Sequence, residues 1–295
     1  MAFLSWIRIT SGTAVLSSIF SLLAWTLAEE GEAQVNIHET PSDLVVPLLS
    51  DGKPEAGKRV REKLVDHADW ELYHVVYLPT DWKRGQKLPV IIEFPGNGGF
   101  LNELGDVSTG RVEDCKLGYG MSGGRGFIWV CLPFVNPVTG QHSLTWWGDA
   151  DATASYCRKV VAHVCDEYSG DPNSIILTGF SRGAIACSYI GLRDEQTANL
   201  WRAMFLHSHY DGVRQWKYPD SDAESARARW ARFQDKPQFV TQEKSVDNIR
   251  QFLQNSDTKS ITLVALPILN HTDTWVLKDI PERKKLRDWL DAALR

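Results

Sequence analysis

Gly179-Phe180-Ser181-Arg182-Gly183 has the residue types and the spacing that a nucleophilic serine needs. The motif follows the apolar run Ser174-Ile175-Ile176-Leu177-Thr178. It precedes Ala184-Ile185-Ala186-Cys187-Ser188-Tyr189-Ile190, which reads as a helix. A buried strand, a tight turn and a helix would hold the hydroxyl at the carboxyl edge of a sheet. The two glycines keep large side chains out of a crowded, strained turn. The serine backbone would then lie at a helix N-terminus, where free N–H groups stabilise negative charge.

A serine hydroxyl is a poor nucleophile at neutral pH. It needs a base, and the base needs an acid to orient it. Among eight histidines, His271 lies in Asn270-His271-Thr272-Asp273-Thr274-Trp275, just past the last expected strand, and is the expected base. The acid stays open between two loops. Asp211, in His207-Ser208-His209-Tyr210-Asp211-Gly212, is favoured because a short turn ending in glycine holds a carboxylate tightly. Glu243 and Asp247, in the loop after the next strand, are the alternatives, although acids there also suit the start of a helix over 246–253. The oxyanion needs two backbone N–H donors. Arg182 supplies one, and Asn97 or Gly98 in Pro95-Gly96-Asn97-Gly98-Gly99 supplies the other. The same His207–Asp211 stretch also resembles the His-x-His-x-Asp metal motif of the metallo-β-lactamase fold, whose next histidine is Gly212 here. The preferred reading has no metal.

These residues need a scaffold. Apolar runs at 70–78, 89–94, 126–132, 201–207, 237–241 and 261–266 read as strands, together with the one before Ser181. Amphipathic stretches at 150–168 and from Pro281 onward read as helices; Leu286, Trp289, Leu290, Ala293 and Leu294 share one face of the second. Alternating strands and helices indicate an α/β fold with a mostly parallel sheet covered on both sides. Sites in such sheets form at the carboxyl ends of the strands, which is where the candidate residues fall. Residues 29–68 are polar and irregular and are expected to wrap the domain edge as an N-terminal extension. The catalytic domain is expected over 69–295.

Residues 1–28 carry a single charge, Arg8, before an apolar stretch from Ala14 to Leu27 and the small-residue site Thr26-Leu27-Ala28. That is the layout of a secretory signal peptide, so the product is expected to be exported, periplasmic or extracellular, with no membrane span beyond that segment. The net charge of −5 disfavours nucleic acid as a partner. The chain has five cysteines. Cys157 and Cys165, eight residues apart on one helix, are roughly 12 Å apart and cannot bridge each other. A Cys115–Cys131 bridge is open in an oxidising compartment.

Together these motifs resemble the α/β-hydrolase superfamily over Trp70 to the C-terminus. The order Ser181, acid, His271 follows that family, and Gly179–Gly183 matches its nucleophile elbow. Pro95 stands where the family's oxyanion loop usually carries histidine. Ser245 stands where a Gly-x-x-Asp acid would fall, a further reason to favour Asp211. The chain is most similar to secreted esterases of the feruloyl-esterase and polyhydroxyalkanoate-depolymerase type. The resemblance implies a cofactor-free serine hydrolase cleaving a small-molecule or polymeric carboxylic ester. Two other readings remain: a non-catalytic binding protein of the same fold, with Trp146-Trp147 in an aromatic platform, and a peptidase.

Overall fold

The computed structural model describes residues 33–254 and 260–295. The expected signal segment lies outside them. Nine strands form the main sheet: β1 (Leu49–Ser50), β2 (Arg59–Glu62), β3 (His74–Tyr77), β4 (Leu88–Phe94), β7 (Ile128–Cys131), β10 (Gly170–Phe180), β11 (Ala203–His207), β12 (Gln238–Glu243) and β13 (Ile261–Leu266). Two small hairpins, β5 (Phe100–Leu101) with β6 (Val107–Ser108) and β8 (Val135–Asn136) with β9 (Gln141–His142), project from the strand ends. The helices are α1 (Leu117–Ser122), α2 (Ala150–Tyr168), α3 (Arg182–Tyr189), α4 (Glu195–Ala198), α5 (Ala223–Trp230), α6 (Asp247–Leu253) and α7 (Pro281–Ala293).

The strand order is β1-β2-β3-β7-β4-β10-β11-β12-β13. Only the β2–β3 and β3–β7 pairings are antiparallel. From β7 through β4 to β13 every neighbour is parallel, so β4, β10, β11, β12 and β13 end at one edge. The sheet begins earlier than the sequence suggests, because β1 and β2 belong to it. Arg59-Val60-Arg61-Glu62 has too much charge to read as a strand, yet Val60 is fully buried and the register runs Arg59 to Tyr77.

Period-two alternation divides the core between the two faces of the sheet. Val90, Ile92 and Phe94 of β4 pack with Ile175 and Leu177 of β10 and with α2 and α3. Ile91 and Ile176 face the opposite layer, with Phe205, Phe239, Leu286 and Leu290. Both faces are covered, which explains why these strands read as continuous apolar runs. Glu93 interrupts the pattern. Its buried carboxylate accepts the N–H groups of Lys116, Leu117 and Gly118 at the start of α1 and the indole N–H of Trp129, so the polar group is satisfied. Burial still pushes its pKa up despite those bonds. Helix α2 runs over the expected residues. Asp149 caps its start by accepting from the Ala152 N–H, and Ser169 in the left-handed region ends it.

Candidate active site

Ser181 sits between β10 and α3 with φ 53° and ψ −118°, a strained conformation for a residue with a side chain. Both motif glycines are sterically required. A Cβ on Gly179 would lie 2.2 Å from the Gly183 carbonyl carbon, and one on Gly183 would lie 2.1 Å from the Phe94 oxygen. The turn thus packs against itself and against β4, and it turns the Ser181 hydroxyl toward the histidine loop.

His271 reaches that hydroxyl. Its Nε2 is 3.0 Å from Ser181 Oγ, and its Nδ1 is 3.1 Å from Glu243 Oε1. Burial alone would raise the pKa of Glu243. The hydrogen bonds from His271 and Ser208 and the nearby imidazoles outweigh it and hold the carboxyl at about 2. An ionised carboxylate accepts hydrogen bonds only, so Nδ1 carries the proton and Nε2 is left to accept from serine. This is the tautomer a general base needs. The imidazole is packed by Phe180, with ring centroids 4.9 Å apart, and by Phe100 at 5.0 Å.

Asp211 is not the partner of His271. It is fully buried beneath an arginine: Arg229 Nη2 donates to its Oδ2 at 2.8 Å and Nε at 3.1 Å. Ser188 donates to the same oxygen at 2.7 Å, and the Tyr218 hydroxyl to Oδ1 at 3.1 Å. The competing partner, Arg229, lies on α5 in a segment whose path the sequence leaves open. Asp247, the other alternative, opens α6, and its carboxylate accepts from the nearby Ser245 hydroxyl.

The oxyanion donors need a second correction. The Gly98 N–H donates to the Leu144 carbonyl at 2.7 Å and is not free. This residue docks against the chain near Thr109 and Leu144, leaving no room for a Cβ. The N–H groups of Arg182, at the first turn of α3, and of Asn97 have no acceptor among the described residues.

No protein-family model matches the chain, and no curated protein does. Solved structures do. An S-formylglutathione hydrolase from Agrobacterium tumefaciens superposes with a TM-score of 0.52 at 12% identity, covering 80% of this chain and 95% of that one. An esterase of the fungus Rhizomucor miehei gives 0.50 at 11% identity, with 81% and 84% covered. The AtxE2 isopeptidase gives 0.50 at 13% identity over 80% of this chain, which spans only 40% of that larger protein. Identities this low speak to architecture. The chain has the α/β-hydrolase fold.

On this α/β-hydrolase scaffold, several groups with no sequence signal fix the site. Asp106, fully buried after the β5 strand, accepts the His271 N–H at 2.8 Å and the Asn270 amide at 2.9 Å. It also meets His38 Nε2 at 2.7 Å and the Asn102 amide. Burial would raise its pKa, but these bonds hold it below the usual carboxylate range. Asn270 in turn accepts the Ile37 N–H at 2.7 Å, so the segment before β1 helps to hold the histidine loop. Ser208, at φ 75°, donates to Glu243 Oε1, the same oxygen that meets His271, and so fixes the carboxylate. His207 is spent on Thr241 Oγ1 and the Thr272 carbonyl, both at 2.9 Å. With His207 and Asp211 both engaged elsewhere, the His-x-His-x-Asp stretch does not converge on one point. The described residues bring only Glu93, Cys115 and Cys131 together as potential metal ligands, within 4.8 Å, and Glu93 already accepts four donors. Their two thiols, the pair open to bridging, are free here.

Arg182 contributes more than its N–H. Its guanidinium donates to the Gly96 carbonyl at 2.8 Å and the Trp146 carbonyl at 2.6 Å, and lies over the Phe134 ring at 4.0 Å. Burial pulls its pKa down to about 9. The Trp146 N–H donates to Asn97 Oδ1 at 2.8 Å, so the Asn97 loop and the tryptophan loop are fastened to each other as well as to Arg182. These bonds hold Trp146 at φ 51° with its ring in the wall of a cavity of about 400 Å³ that opens on Ser181 and His271. Trp147, its neighbour in sequence, is buried behind it against Tyr189 and Tyr218.

Proposed function

We propose that the chain is a serine hydrolase of carboxylic esters. Ser181 is the nucleophile, His271 the general base and Glu243 the orienting acid. The N–H groups of Arg182 and Asn97 are the oxyanion donors. One observation carries the reading: the unbroken hydrogen-bonded line from Ser181 Oγ through His271 to an ionised Glu243.

In this mechanism Ser181 Oγ attacks the ester carbonyl while His271 Nε2 takes its proton. The tetrahedral oxyanion rests on the two N–H groups. Collapse expels the alcohol, which receives its proton from His271. Water, deprotonated by the same nitrogen, then attacks the acyl-enzyme and releases the acid. Glu243 stays ionised throughout and stabilises the imidazolium. The aromatic cavity fits a small ester.

A fluorophosphonate probe and a short-chain 4-nitrophenyl ester test this directly. Wild type is expected to label and to turn over, and Ser181→Ala to do neither. Well-folded wild type that neither labels nor turns over would overturn the proposal. We also propose that residues 1–28 direct export. Expression in a secreting host should yield protein starting after Ala28, and retained Met1 would contradict it.

A further inference from the structure

Arg214 is an unspent cation in the wall of the Ser181 cavity. It lies in the segment between β11 and α5, with its guanidinium carbon over the Trp216 ring at 4.3 Å. Its side chain makes no hydrogen bond or ion pair among the described residues. Every other arginine near the site has a partner: Arg182 bonds to carbonyls and Arg229 to Asp211. A guanidinium held by its face on an indole keeps its five N–H donors, which lie in its own plane, available to a ligand.

The rest of the wall makes this cation count. Among the described residues no carboxylate lines the cavity, although the whole chain carries a net charge of −5. Glu243 lies on the far side of His271 and is covered by it and by Ser208. His209, which also lines the cavity, is kept neutral by burial, its pKa drawn down to about 4. Trp146, Trp216 and Phe100 give the wall most of its aromatic surface, beside the aliphatic Ile185 and the neutral amide of Asn97. A neutral ester would leave the Arg214 donors to water. An ester bearing a carboxylate would meet them with a charge-assisted, bidentate pair.

We propose that Arg214 selects anionic esters, substrates that carry a free carboxylate beside the scissile bond's acyl or alcohol group. This rests on the serine hydrolase reading above. The wall that carries Arg214 is itself fixed, because Tyr218 and Arg229 from the same segment and helix tie it to the buried Asp211. Asp211 thereby positions the selective wall and leaves the base to Glu243.

Two matched pairs of esters test the inference. On the acyl side, 4-nitrophenyl hemiglutarate is compared with its neutral methyl ester. On the alcohol side, 3-acetoxybenzoate is compared with methyl 3-acetoxybenzoate. The readout is the ratio of kcat/KM, anionic over neutral, within each pair. Wild type is expected to favour the anionic member of at least one pair by about tenfold, the size of one charge-assisted hydrogen bond at an open site. Arg214→Met should bring that ratio to about one, Arg214→Lys should keep part of it, and added salt should shrink it in wild type. Wild type that labels with fluorophosphonate but prefers neither anion, or a preference unchanged in Arg214→Met, overturns this inference alone. Wild type that neither labels nor hydrolyses any of the four overturns the parent reading and this one with it.

Discussion

Asp211 and Glu243 leave neighbouring parallel strands at the same edge of the sheet. Asp211 lies four residues past β11, and Glu243 is the last residue of β12. Both side chains are nearly closed to solvent, at 0% and 12% exposed. What separates them is the partner each meets. Asp211 is clasped by Arg229, which donates two guanidinium N–H groups to one carboxylate oxygen. Glu243 meets His271, whose second nitrogen faces the serine. One carboxylate therefore fastens a cavity wall, and the other holds the imidazole that faces the serine. Position at the strand ends brings a carboxylate to the site, but the partner decides its work.

Substitutions that remove charge while keeping shape should break this contrast into two different losses. Glu243→Gln should lower kcat/KM on a 4-nitrophenyl ester by about 10³-fold, because the amide no longer fixes the tautomer or stabilises the imidazolium. The variant should stay folded by circular dichroism. Asp211→Asn should do the reverse. It leaves Arg229 buried without its counter-charge, at a cost of about 3 kcal/mol, readable in urea unfolding. Its turnover per folded molecule should stay near that of wild type.

The two regions should also part in acid. Glu243 has its folded pKa lowered from 4.5 to about 2, so its stabilising contribution is complete above about pH 4.5 and fades as pH falls toward 2. His209 has its folded pKa lowered from 6.5 to about 4 by burial. Between those values the unfolded chain binds a proton that the folded chain refuses, so stability falls as pH drops from 6.5 to 4. In His209→Gln, the slope of unfolding free energy against pH over that window should shrink by about one proton. This is the smallest effect of the set, and an unchanged slope would contradict the burial of a neutral imidazole there.

Much of this was legible in the sequence. The glycine-flanked Ser181 between an apolar strand and a helix announces its turn, and the structure shows why both glycines are needed. His271 follows from its place after β13. Helix α2 and strand β13 fall where their periodicity puts them. Which carboxylate meets His271 was not legible, because the choice between Asp211 and Glu243 turns on Arg229, a residue on a helix whose packing no local pattern reveals. Gly98 was misjudged for a similar reason: its N–H is taken by the Leu144 carbonyl from a distant loop. Asp106 gives no signal at all, since its partners His38 and Asn270 lie 68 and 164 residues away. Strand β2 was hidden by its charges, and β1, only two residues long, by its brevity.

The central claim is that Glu243, not Asp211, serves the base. Its most direct measurement is the second-order rate of fluorophosphonate labelling for wild type, Glu243→Gln and Asp211→Asn, each normalised to its folded fraction. The rate in Glu243→Gln is expected to fall by about 10³-fold, while Asp211→Asn stays within about threefold of wild type. A Glu243→Gln variant that labels at the wild-type rate, with labelling lost instead in folded Asp211→Asn, would contradict the account.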